Sequence, residues 1–125
     1  MRVLALAALL ALAACAPEEG SAPQAITGVL LMDGTVRPPV ANATVLIRRG
    51  KIEAMGPASV IRVPEGYHRI EARGRVLFPA DPAKPLVAGG DADLLLLSVN
   101  PALDPDYSKK ITGHMLAGRW VQFPQ

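Results

Sequence analysis

The sequence predicts an all-β fold: a small β-sandwich of about seven to nine short strands, preceded by an N-terminal signal helix and a flexible tether. Three observations lead there. Short apolar or alternating segments recur at roughly 8–12-residue spacing. Twelve prolines and eleven glycines punctuate a chain of 125 residues, which suits frequent turns better than long helices. Half of the residues are hydrophobic, yet only one Trp, two Tyr and two Phe are present, so the core is aliphatic. One domain is the expectation for this length.

The elements follow in chain order. Met1-Arg2 precedes Val3 to Ala14, a run without a polar side chain. A short positive region followed by an apolar stretch of about 7–15 residues has the form of a secretory signal peptide, assigned to residues 1–14. The run is too short to span a bilayer as a helix, which takes about 20 residues. Leu12-Ala13-Ala14-Cys15 at its end resembles the bacterial lipobox. That resemblance implies lipidation of Cys15 as the mature N-terminus, and anchoring by acyl chains that contribute about 0.8 kcal/mol per buried CH₂. It places the protein in a bacterial cell envelope, on the periplasmic side of a membrane. With Ala16 rather than Asp after the cysteine, it implies the outer membrane where there is one. Residues 15–25 carry Pro17, Gly20, Ser21 and Pro23 and read as a lipidated tether.

The sandwich is assigned to residues 26–125. Ile26 to Leu31 is an apolar strand ending at the Asp33-Gly34 turn signal. Thr44 to Arg48 is β-branched, and Arg49-Gly50 turns it into the alternating Lys51 to Met55, which Gly56-Pro57 ends. Val60 to Val63 reads as a further strand before the Pro64-Glu65-Gly66 turn. His68 to Ala72 alternates, with Ile70 and Ala72 on one face; Arg73-Gly74 turns into Val76 to Phe78. Pro79 to Gly90, rich in Pro and Gly, is a connector. Leu94 to Leu97, with no alternation, reads as a strand covered on both faces. Ile111 to Leu116 and Arg119 to Phe123 pair across Ala117-Gly118 as a terminal hairpin.

Charge and cysteine usage narrow the functions. Without Arg2 of the leader, twelve Lys or Arg face eleven Asp or Glu, and no aromatics interleave with them, so nucleic-acid binding has no support. Arg48-Arg49 with Lys51 reads as a solvated hairpin end. Cys15 is the single cysteine, which excludes an intrachain disulfide and a Cys-based zinc site. His68 and His114 are the only histidines and form no His-Xaa-His or His-Glu-Xaa-Xaa-His pattern, so no metal ligands are assigned. Asp91 and Asp93 read as carboxylates capping backbone N–H groups rather than a cation site. Asp104 and Asp106 lack calcium-loop spacing. None of Ser21, Ser59, Ser98 and Ser108 lies in a Gly-Xaa-Ser-Xaa-Gly elbow. A Ser108–His114–Asp91 triad would be a matter of geometry alone. No catalytic residue is assigned.

The order of these elements resembles the amidohydrolase superfamily in its imidazolonepropionase-like and prolidase-like branches. The matching residues are Ile26 to Thr35, Ala43 to Ile52, Met55-Gly56-Pro57, Val63 to Gly66, Ile70 to Pro79, then Gly90-Asp91-Ala92-Asp93-Leu94-Leu95 and Gly113 to Val121. The resemblance implies that the two ends fold together as a β-sandwich beside a TIM barrel, which holds zinc or another divalent metal and lies between them in sequence. Such a barrel takes about 200 residues or more, and only the connector separates the two blocks here. The expectation is therefore an amidohydrolase-like lipoprotein domain lacking the catalytic barrel. It would have no cofactor of its own, and would act as a binding or interaction module or stand as a truncated remnant. Its partners would be the membrane, through the lipid, and a protein or second copy on the surface that a barrel would cover. The alternative is a subunit of a metal-dependent hydrolase of non-peptide carbon–nitrogen bonds, with the barrel on a separate chain.

Overall fold

The computed structural model describes residues 22–125. The signal helix of residues 1–14, the lipobox with Cys15, and most of the tether lie outside the described residues. Eight strands follow: β1 (Gln24–Leu31), β2 (Val40–Arg48), β3 (Lys51–Pro57), β4 (His68–Glu71), β5 (Val76–Pro79), β6 (Leu94–Leu97), β7 (Ile111–Leu116) and β8 (Arg119–Gln122). A single 3₁₀ turn, Tyr107–Lys109, precedes β7. The described residues hold no α-helix. The all-β class and the strand number are as the sequence predicts. β1 starts at Gln24, so Gln24 and the fully buried Ala25 belong to the strand rather than to the tether.

All eight strands form one hydrogen-bonded sheet in the order β3-β2-β1-β5-β6-β7-β8, with β4 also paired to β1. The branch point is β1. Its first half, Gln24 to Thr27, runs parallel to β4, and Leu30-Leu31 runs parallel to β5. Gly28, at φ +83°, makes the bulge between these halves. A Cβ there would lie 2.9 Å from Glu71 Oε2 and 3.2 Å from the Arg73 Cα, so only glycine fits.

The sheet folds over so that β3-β2-β1-β4 faces β5-β6-β7-β8, giving the expected sandwich. Ile26 and Val29 of β1, Val45 and Ile47 of β2, Ile52, Ile70, Leu77, Leu94, Leu96 and Met115 fill the interior. Burying each such aliphatic side chain contributes about 1.5–3 kcal/mol. The Leu94–Leu97 run divides by parity. Leu94 and Leu96 enter this core, whereas Leu95 and Leu97 join Val76, Phe78 and Tyr107 in a second cluster on the opposite face. Phe78 and Tyr107 meet edge to face, ring centres 5.6 Å apart. A strand covered on both faces was the expectation, and the structure supplies both covers.

The strand expected over Val60 to Val63 does not form. β3 is an edge strand, whereas β4 lies beyond β2 and β1. The segment must therefore cross the outer face of the sheet, where no strand is available to pair with it. Its contribution is a side chain: Ile61 packs near Gly56, with 3.4 Å between Ile61 Cγ1 and the position of a Gly56 Cβ. The Pro79 to Gly90 connector is ordered by the core and by pairing of its end with β3, where Ile52 N–H donates to the Gly90 carbonyl at 2.8 Å and Gly89 N–H to the Ile52 carbonyl at 2.7 Å. Leu86 is buried, its N–H donates to the Asp33 carbonyl at 2.9 Å, and the Ala80 N–H donates to the Asp93 carbonyl at 3.1 Å.

Candidate functional site

Alternation along the strands builds a polar groove on the outer face of the β3-β2-β1-β4 layer. In β1 and β2, Ile26 and Val45 point inward, so Thr27 and Thr44 point outward. Thr27 pairs with Thr44 on one side and with Glu71 on the other, setting three polar residues in one transverse row. On β4 the inward Ile70 leaves Arg69 and Glu71 outward. The crossover after β3 supplies the facing wall, including Ser59 and Arg62, and the turn after β4 supplies Arg73. The groove is open to solvent and its volume is about 570 Å³.

The charges in this groove are unequal. Glu71 is its one carboxylate and Arg62, Arg69 and Arg73 are its guanidiniums. Glu71 is already engaged, accepting from Thr27 Oγ1 at 3.1 Å and from Arg73 Nε at 3.3 Å. Thr44 is the one buried polar side chain among the described residues, 2% exposed. None of the hydrogen bonds among the described residues uses its hydroxyl.

A second constellation joins the two layers at the hairpin tips. The β2–β3 turn has Arg49 and Gly50 at positive φ, and the β7–β8 turn has Ala117 and Gly118. Positive φ at both central positions is the type I′ pattern. The tips touch backbone to backbone: a Cβ on Gly118 would lie 2.7 Å from the Gly50 Cα. The Gly90 to Asp93 segment clasps them. Ala92 N–H donates to the Gly50 carbonyl at 3.0 Å, and Gly118 N–H donates to the Ala92 carbonyl at 3.1 Å. The Asp93 carboxylate accepts the Ala117 N–H at 2.6 Å, and Asp91 pairs with Lys51 at 2.6 Å. The hydrogen bond and charge of Lys51 hold the Asp91 carboxyl below its ordinary range, and Asp91 raises the Lys51 ammonium. The Asp-Xaa-Asp pair is thus committed to the clasp. Nearby Asp81 shares a shallow depression with both, and accepts the Ala83 N–H at 2.9 Å.

The remaining sequence candidates do not converge. His68 is exposed on β4 and His114 is half-buried on β7. No hydrogen bond among the described residues joins Ser108, His114 and Asp91. Among the described residues, no group of three or more His, Cys, Asp or Glu is placed to hold a metal ion. Asp104 pairs with Lys110 at 2.7 Å and accepts the Asp106 N–H at 2.8 Å, which closes its loop. Arg48, Arg49 and Lys51 are exposed at the hairpin end, as expected. Sequence reading missed the groove residues Arg62, Arg69 and Thr44. The alternation of His68 to Ala72 signals an outward Arg69, but nothing local signals that Arg62 is folded back towards it.

No protein-family model matches the chain, and no curated protein matches it. Two solved structures align with 46% of it. One is a molinate hydrolase, at 34% identity and a TM-score of 0.43. The other is a prolidase candidate from Bifidobacterium longum, at 23% identity and a TM-score of 0.43. The chain spans 12% of the first protein and 15% of the second.

Proposed function

We propose that this chain is an amidohydrolase-related β-domain that binds rather than catalyses, held at a bacterial envelope membrane by lipid on Cys15. The observation that carries the reading is the β5-to-β6 connection. The two blocks that resemble the ends of such enzymes pair directly, Pro79 opposite Leu94 through Val76 opposite Leu97. The loop between them is pinned by Leu86 in the core. Where the enzymes of that family would insert about 200 residues of barrel, the chain here turns back at once. The scattered histidines and the engaged aspartates support the same reading.

The test is to incubate the purified full chain with zinc or manganese and a panel of amides and lactams. The expected result is no turnover above buffer and no stoichiometric bound metal. Hydrolysis that stops on adding a chelator would overturn the binding role, as would co-purification with a metal-containing barrel subunit that the chain activates. The anchor is tested separately, by growing a bacterial host that expresses the chain with labelled palmitate. Label is expected on the native chain and none on Cys15→Ser; an unlabelled native chain removes the anchor from the proposal.

A further inference from the structure

We propose that the groove over β1, β2 and β4 is a binding site for a small oxyanion carrying two or more negative charges, such as phosphate. The proposal names a ligand class for the binding domain argued above and rests on that reading.

Two observations converge. The first is an excess of positive charge in an open groove: three arginines line it against one carboxylate. That carboxylate is neutralised locally by Arg73, which leaves Arg62 and Arg69 without an ion pair among the described residues. Guanidinium is a planar fork of N–H donors that matches phosphate and carboxylate oxygens two at a time. The second is Thr44, a residue only 2% exposed that lines the groove and whose hydroxyl has no hydrogen-bond partner among the described residues. A buried hydroxyl without a partner is costly, and a ligand oxygen in the groove relieves that cost.

The groove is also built from segments distant in sequence, Thr27-Gly28, Thr44, Ser59 to Arg62 and Arg69 to Arg73, brought together by the crossover. Other apolar features of the surface, such as Val121 on the edge strand β8 and Phe123 just beyond it, have no counterpart that would name an occupant.

The experiment is calorimetric titration of the purified full chain with inorganic phosphate, in chloride buffer of matched ionic strength. Saturable one-site binding with Kd of about 1 mM or tighter is expected. The double variant Arg62→Ala/Arg69→Ala should weaken it by at least about tenfold. Thr44→Val, which keeps the shape and removes the hydroxyl, should weaken it several-fold. Thermal unfolding of each variant is measured alongside, and because both arginines are exposed the double variant is expected to unfold as the native chain does. Absence of saturable binding overturns the proposal, as does phosphate bound equally well by the folded double variant. Either outcome would remove the ligand class and leave the catalytic assay to decide the binding role on its own.

Discussion

At the scale of single residues, the hairpin tips decide most. Ala117 and Arg49 adopt φ of +50° and +54°, a region that costs most side chains about 1–2 kcal/mol. Asn tolerates it and is favoured in type I′ turns. Ala117→Asn should therefore stabilise the domain by about 0.5–1 kcal/mol, read as a higher Tm. Gly118→Ala should do the opposite, because its Cβ would press on the Gly50 backbone as well as being strained. A loss of about 2 kcal/mol or more, or roughly 10 °C in Tm, is expected. A Gly118→Ala variant with native Tm would show that the tips do not pack as described. The turn dipeptides Arg49-Gly50 and Ala117-Gly118 are legible in the sequence, but their mutual contact is not. It joins residues 68 positions apart in the chain, which no local pattern records.

At the scale of elements, the connector and the clasp behave as parts of the core. Leu86 lies in a segment whose Pro and Gly content reads as a loop, yet it is 3% exposed. Leu86→Ala should cost about 2–4 kcal/mol in chemical denaturation, the price of a core truncation rather than of a loop change. The clasp adds a pH dependence. Asp91 and Asp104 are held below the ordinary carboxyl value of 3.8 by Lys51 and Lys110, respectively. Their contribution is complete above that value and is lost as pH falls through their depressed folded values. Lys51 and Lys110 are raised above 10.5 by the same pairs, so their contribution is present below 10.5 and lost as pH rises past it. Both pairs are exposed, so the effect is small and screened by salt. Asp91→Asn should lower the neutral plateau of Tm slightly and flatten the acid limb, converging with the native chain at low pH. An acid limb identical to the native one would remove Asp91 as a contributor.

At the scale of the molecule, one sheet makes both layers by branching at β1. Its first four residues pair with β4 and its last two with β5, so β1 belongs to both halves and Gly28 is the hinge between them. Gly28→Val should therefore prevent cooperative unfolding altogether rather than lower Tm by a few degrees, since its Cβ would strike both Glu71 and the Arg73 backbone. Circular dichroism during a thermal ramp reads this directly, and a sharp native-like transition would contradict it. The same branching creates the groove. The chain leaves edge strand β3 and must cross two strands to reach β4, carrying Arg62 over the outward threonines.

The sequence by itself determined what depends on neighbours within a few residues: the all-β class, all eight strands as separate segments with β2 and β3 joined at Arg49-Gly50, and the terminal hairpin. Alternation and turn chemistry are local, so they are readable in one dimension. Tertiary structure alone decided that Val60 to Val63 is a crossover, that Leu86 is core, that the two glycine turns abut, and that Arg62 and Arg69 share a groove. Each of these follows from which strands lie side by side. That order is set by the burial of faces drawn from the whole chain, and a hydrophobic residue in sequence carries no mark of the partner it will be buried against.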